Sequence, residues 1–155
     1  MHENKIFTTP QLKNLDLETS SICNLSCQMC PRPKENGTMP IDDIKRLIKE
    51  AADIGVETLK PFWRGEVLAD ARMPEILKYA KECGLKVMVN SNGQDTKGIY
   101  EDCQPYIDWI SFSVDEQHNN INETTYDLIK KTYIKYEEVQ ASKYNPWVDF
   151  VVTEW

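Results

Sequence analysis

The chain has 155 residues, 41% of them apolar and 28% charged, with a formal net charge of -7. That size suits one domain around one core, and the apolar content excludes an intrinsically disordered chain. The acidic balance argues against a nucleic-acid backbone as partner, because neutralising phosphates requires clustered Lys and Arg.

In chain order, Leu15 to Ser21 reads as a short strand that runs into a cysteine-bearing loop. Ile41 to Ile54 is expected to be helical, with Ile41, Ile44, Leu47, Ile48, Ala51 and Ile54 on one face, Pro40 before it and Gly55 after it. Val56 to Phe62 reads as a second strand. Met73 to Cys83 reads as a helix with Ile76, Leu77 and Ala80 inward, stopped by Gly84. Leu85 to Val89 is a third strand, ending in the polar turn Asn90-Ser91-Asn92-Gly93. Thr96 to Cys103 is a weaker helix, Trp109 to Val114 a fourth strand, Asn122 to Glu138 a long helix and Trp147 to Val152 a fifth strand. Lys130, Lys131 and Lys135 share that long helix with Glu137 and Glu138 and read as a solvated face.

Strands alternating with helices imply parallel βαβ units, hence an α/β fold. Residues 1–155 are expected to form a single domain, a partial parallel β/α barrel of about five strands. Functional groups of such sheets gather at the carboxyl ends of the strands. Every chemically suggestive segment falls at such an end: the cysteine loop, Arg64-Gly65-Glu66, Ser91-Asn92-Gly93 and Ser113-Val114-Asp115.

Of five cysteines, Cys23, Cys27 and Cys30 fall within eight residues, spaced C-x3-C-x2-C. An odd count so clustered disfavours a disulfide framework and favours ligation. Three thiolates on one loop suit three corners of a cubane iron–sulfur cluster and leave the fourth iron open. Other readings compete. A structural zinc site normally shows four ligands in two pairs, yet there is no second Cys pair, and His2 and His118 lack ligand spacing. A redox pair Cys27/Cys30 would not need Cys23, and inert core cysteines seldom cluster on a polar loop. Cys83 and Cys103 read as packed or half-exposed free thiols. Trp63 reads equally as lining the site or as core, and Trp109 as core.

The loop Cys23-Asn24-Leu25-Ser26-Cys27-Gln28-Met29-Cys30-Pro31 resembles that of the radical S-adenosylmethionine (radical SAM) enzymes, in particular the SPASM-type branch of peptide and protein modifiers. The resemblance extends to about residue 152. It implies a [4Fe–4S] cluster on Cys23, Cys27 and Cys30, with S-adenosyl-L-methionine as the second cofactor. Gly65-Glu66 matches the end of the family's Gly-Gly-Glu motif, which holds the methionyl amino group; Arg64 stands at the first glycine position. Ser91-Asn92-Gly93 matches the Thr-Asn-Gly turn after the third strand, and Ser113-Val114-Asp115 the Ser-x-Asp end of the fourth. Ser91 and Ser113 thereby become candidates for the cofactor's carboxylate or ribose. Met29 stands where an aromatic residue often precedes the third cysteine, near the adenine. Each motif also has a plain structural reading: Gly65 and Ser91-Asn92-Gly93 as turns, Glu66 as a solvated carboxylate, Arg64 as a salt bridge, Asp115 as a cap.

The implied activity is reductive cleavage of S-adenosylmethionine to a 5′-deoxyadenosyl radical that takes hydrogen from a peptide, protein or small-molecule substrate, fed by an external one-electron donor of the flavodoxin or ferredoxin type. A sixth barrel strand is missing from the pattern. A catalytically impaired or partner-completed cluster-binding subunit, a small glycyl-radical-activating enzyme and a simple electron carrier are therefore alternatives. The polar start of the chain and the lack of any run of ~20 apolar residues lead to an expectation of a cytoplasmic protein with no membrane partner. The β-rich stretch Val148 to Val152 is expected to expose a sheet edge and favour a homodimer.

Overall fold

The computed structural model describes residues 12–27, 30, 36–114 and 147–152, with the backbone alone for Val114 and for 147–152. The expected helix Asn122 to Glu138 lies outside the described residues, as do Met29 and Asp115. Strands β1 (Asn14–Asp16), β2 (Thr58–Lys60), β3 (Lys86–Ser91), β4 (Trp109–Val114) and β5 (Trp147–Val152) form one sheet in the order β1-β2-β3-β4-β5. Every neighbouring pair is parallel, with Leu15 opposite Leu59, Leu59 opposite Val87, Val89 opposite Ile110, and Ser91 opposite Phe112. Sequential order with parallel pairing is the topology of a barrel wall that has not closed, as expected from the alternation of strands and helices.

Helix α1 (Ile41–Asp53) forms because Ile44, Ile48 and Ala51 recur on one face and are buried. Asp42 and Asp43 in its first turn complement the helix dipole. Helix α2 (Met73–Glu82) buries Met73, Ile76, Leu77 and Ala80 and has Pro74 in its first turn. It is terminated by Gly84 at φ 84°, a left-handed conformation that costs glycine nothing. The two helices pack on the sheet face formed by Leu59, Val87, Val89, Ile110 and Phe112, all with at most 3% exposure. Strand alternation then assigns Met88, Asn90, Ser111 and Ser113 to the opposite face, where Ser111 Oγ donates to Asn90 Oδ1 at 2.8 Å.

Several expected boundaries shift. β3 runs on to Ser91 instead of ending at Val89, so Asn90 and Ser91, expected in the polar turn, belong to the strand. The third helix is confined to α3 (Tyr100–Cys103), because Asp95 takes the Ile99 and Tyr100 amides with its side chain and delays the helix start. β2 is shorter than Val56 to Phe62. β1 ends at Asp16 rather than Ser21, because residues 19–21 pair elsewhere: Ser20 bridges Thr38 antiparallel, Met39 N donates to Thr19 O at 2.9 Å and Ser21 N to Gly37 O at 2.9 Å. The cysteine loop is thus tied at its base by its own two legs.

Candidate functional site

The carboxyl ends of β1, β2 and β3 converge on the start of the cysteine loop. Arg72 fastens the tied base from beneath. Its Nη1 donates to Met39 O at 2.6 Å and its Nη2 to Thr19 O at 3.2 Å, while Nε and Nη2 grip the buried Asp70 at 2.9 and 2.7 Å. Both legs therefore hang on one guanidinium, whose planar fork suits several fixed acceptors at once. Asp70 carries the charge that lets Arg72 sit there, and raises its pKa through their hydrogen bonds.

Gly65 explains how the second strand reaches the loop. A Cβ there would lie 2.1 Å from the carbonyl oxygen of Ser20 and 3.0 Å from that of Ile22. Both are backbone atoms and cannot give way, so glycine is required for close approach. The next amide, Glu66 N, donates to Ile22 O at 2.8 Å, one residue before Cys23.

Glu66 is only 5% exposed, and its carboxylate is engaged by the chain itself. Oε1 accepts from Ser91 Oγ at 2.7 Å and Leu68 N at 3.0 Å, and Oε2 from Asn92 N at 2.7 Å. The solvated carboxylate of the plain reading is therefore not what the structure contains. Burial pushes the Glu66 pKa above the ordinary glutamate value, opposed by the donors Asn92, Leu68 and Ser91, which favour the anion. Three in-chain donors make this group first a strut between β2 and the turn after β3. One acceptor direction on Oε2 is left for any further donor.

The other expected site residues divide. Ser91 and Asn92 are buried and bound to Glu66. Asn92 Nδ2 reaches Asn24 Oδ1 at 2.9 Å and Cys23 Sγ at 4.0 Å, which joins the third strand end to the cysteine loop. Ser113 Oγ lies 3.5 Å from Asn90 Oδ1 on the sheet face away from the helices, apart from Ser91, which bonds Glu66 on the other. Arg64 makes the salt bridge of its plain reading: Nε and Nη2 donate to Glu18 Oε1 and Oε2 at 3.1 and 2.6 Å, and its amide to Oε1 at 3.2 Å. Those hydrogen bonds hold the Glu18 carboxyl below its ordinary pKa against the opposing effect of partial burial. Trp63 is 70% exposed, so it is not core. Glu18, Asn24 and Gln94 were missed by sequence reasoning. Polar residues in turns carry no local signal, and their partners lie far away in the chain.

None of the five cysteines takes part in a disulfide. Cys23, Cys27 and Cys30 are half-buried, within reach of a reagent or an ion, whereas Cys103 is fully buried and its pKa is pushed up to about 12 by that burial. The donor set fits an iron–sulfur cluster in kind: three sulfurs on one loop, Cys23 Sγ already accepting from Leu25 N at 3.4 Å as ligating thiolates do. Among the described residues, no three such side chains already stand at the spacing of a metal site. Nor is any described helix long and apolar enough to cross a membrane.

The chain and its fold have counterparts among known proteins. Over 131 residues the chain is 26% identical to an S-adenosylmethionine-dependent nucleotide dehydratase of Lacinutrix mariniflava, a match covering 77% of this chain and 27% of that protein. It is 29% identical over 111 residues to the putative protein YfkA of Bacillus subtilis, covering 66% of this chain and 30% of that one. The chain thus spans about a third or less of the length of these relatives. Among solved structures, BtrN in complex with AdoMet and 2-DOIA superposes with a TM-score of 0.69 at 17% identity, over 92% of this chain and 57% of that one. SuiB of Streptococcus suis bound to S-adenosylmethionine gives 0.58 at 22% identity, over 68% and 26%. The model of the Radical SAM superfamily matches residues 17–141, from the tied base of the loop to beyond the fourth strand, and the chain belongs to that superfamily.

Proposed function

We propose that this chain is the core of a radical SAM enzyme in which Cys23, Cys27 and Cys30 hold a [4Fe–4S] cluster and S-adenosyl-L-methionine is the co-substrate. The observation that carries the reading is the position of three half-buried, non-disulfide thiols on a loop tied at its base to the carboxyl ends of a parallel sheet. When bound, cluster and cofactor supply a 5′-deoxyadenosyl radical for hydrogen abstraction.

The chain's own residues do the placing. Arg72 and the pairing of residues 19–21 with 37–39 hold the base of the loop, Gly65 lets β2 press against it, and Leu25 N steadies the Cys23 sulfur. The free acceptor direction on Glu66 suits the cofactor's ammonium, since carboxylates accept charge-assisted hydrogen bonds. Ser91 and Asn92 are held by Glu66 beside that position. Ser113 and Asn90 on the opposite sheet face offer hydroxyl and amide groups to ribose or substrate. Met29 and Asp115 complete the assignment by resemblance. Arg64 reaches an anionic ligand only by leaving Glu18.

The partners that fit are an external one-electron donor of the flavodoxin or ferredoxin type and a peptide, protein or small-molecule substrate. A second copy of the chain is expected at β5, the last strand of the described sheet. Anaerobic reconstitution tests the reading. About four irons per chain, lost on replacing any of Cys23, Cys27 or Cys30 by Ala, and 5′-deoxyadenosine formed with a reductant are expected. A cluster without 5′-deoxyadenosine would favour an impaired or partner-completed subunit. Iron retained by the triple Cys→Ala variant would refute the ligand set.

A further inference from the structure

We propose that Asn24, Asn92 and Gln94 form a carboxamide relay, anchored on the buried Glu66, that fixes Cys23 before any ligand binds and donates to its sulfur. The relay has a direction, set by one backbone amide. Gln94 N donates to Asn92 Oδ1 at 2.9 Å, which settles which end of the Asn92 carboxamide is oxygen. Its Nδ2 must then point the other way, where it meets Asn24 Oδ1 at 2.9 Å and Cys23 Sγ at 4.0 Å. With its oxygen so used, Asn24 presents Nδ2 to Gln94 Oε1 at 3.0 Å. Donor meets acceptor at every step, and the circuit returns to the residue where it began.

The anchor is outside the circuit. Asn92 is 6% exposed and its own amide is held by Glu66 Oε2 at 2.7 Å, so the middle of the relay cannot drift. Asn24 is exposed and adjacent to Cys23, whose Sγ lies 4.0 Å from Asn24 Oδ1 as well as 4.0 Å from Asn92 Nδ2, so the relay meets the thiol from one buried and one solvent-facing residue. Small amides suit this task, because each carries both donor and acceptor on a short stem. A donor near a ligating sulfur stabilises added negative charge and so raises a cluster's reduction potential. That second role rests on the reading of Cys23 as a cluster ligand; the positioning role does not.

Four proteins spanning residues 1–155 test both roles: wild type, Asn24→Ala, Asn92→Asp and Gln94→Glu. In the metal-free protein, alkylation of Cys23 by iodoacetamide is followed by peptide mass spectrometry, with Cys27 and Cys30 as internal references. Gln94→Glu keeps an acceptor for Asn24 and is expected to leave the Cys23 rate unchanged. Asn92→Asp turns an acceptor against Asn24 Oδ1, and Asn24→Ala removes the link at an exposed position that folding tolerates. Each should speed Cys23 alkylation about fivefold relative to the references, the opening released by losing one hydrogen bond. Wild-type rates in both, or a Gln94→Glu rate as fast as that of Asn24→Ala, would overturn the relay. In the reconstituted protein, Asn92→Asp is expected to shift the cluster's midpoint potential to more negative values; an unchanged potential would overturn donation to the sulfur. Failure of the wild type to assemble a cluster would instead defeat the proposed function, and the alkylation rates would still decide the relay.

Discussion

Replacing Glu66 by Gln keeps the shape of the side chain and changes only what its two ends can accept. The amide oxygen fits best at the Oε1 position, where it keeps Ser91 Oγ and Leu68 N. The new NH2 then stands at Oε2, facing the Asn92 N–H that donates there at 2.7 Å. Two donors oppose each other in a buried place, and the two surviving bonds lose their charge assistance. Leaving a buried donor unpaired costs about 1–3 kcal/mol, partly offset because a neutral amide is cheaper to bury than a carboxylate. A net loss of about 2 kcal/mol is expected near neutral pH, or roughly 4–8 °C in Tm for a chain of this size. The assay is urea unfolding of the metal-free protein, with the midpoint falling and the m-value unchanged. The pH dependence adds a second reading. Burial raises the Glu66 pKa, so the folded state holds its proton more tightly than the unfolded chain. That contribution is complete below the ordinary glutamate value and fades as pH rises through the raised one. The deficit of Glu66→Gln should therefore be larger near about pH 4 than near about pH 8. An unchanged midpoint, with the Asn92 amide resonance unmoved in NMR spectra, would show that the strut does not exist.

Three further outcomes are expected. Gly65→Ala drives a Cβ into the Ser20 carbonyl and should cost roughly 1–3 kcal/mol or more in urea unfolding, whereas a well-folded variant of wild-type stability would mean the contact is not that close. The Glu18 carboxyl should titrate below the ordinary range by NMR and return towards it in Arg64→Met; stability from this pair is present above the ordinary glutamate value and lost as pH falls through the depressed one, so the variant should match wild type in strong acid. Alkylation of the native metal-free protein should modify Cys23, Cys27 and Cys30 readily and spare Cys103 until urea unfolds the chain; fast labelling of Cys103 would contradict its burial.

The sheet was legible wherever a strand carries its own pattern. Trp109–Val114 and Trp147–Val152 lie where apolar runs put them, and α1 and α2 follow the spacing of their buried faces. The first strand was misjudged because Thr19, Ser20 and Ser21 look as extended as the residues before them, yet they pair with Gly37, Thr38 and Met39 on the return leg of the loop. Local pattern says that a segment is extended and nothing about its partner. The same limit applies at the site. Spacing alone singled out the three thiols. The burial of Glu66, the capture of Arg64 by Glu18 and the meeting of Asn24 with Gln94 depend on long-range closure that no window of sequence contains.

The tie at the base of the cysteine loop has a consequence for the proposed binding of a cluster. In an open chain, each further thiol that joins a metal must be brought in against the entropy of closing a ring. Here the ring between Ser21 and Gly37 is closed by the protein's own hydrogen bonds and by Arg72, so that entropy is spent during folding. If the loop takes a cluster as proposed, the second and third sulfurs would join as neighbours of the first, at an effective concentration on the order of millimolar or above. What is set in advance is the closure of the loop's base, not the spacing of its thiols, and that closure does not depend on an ion.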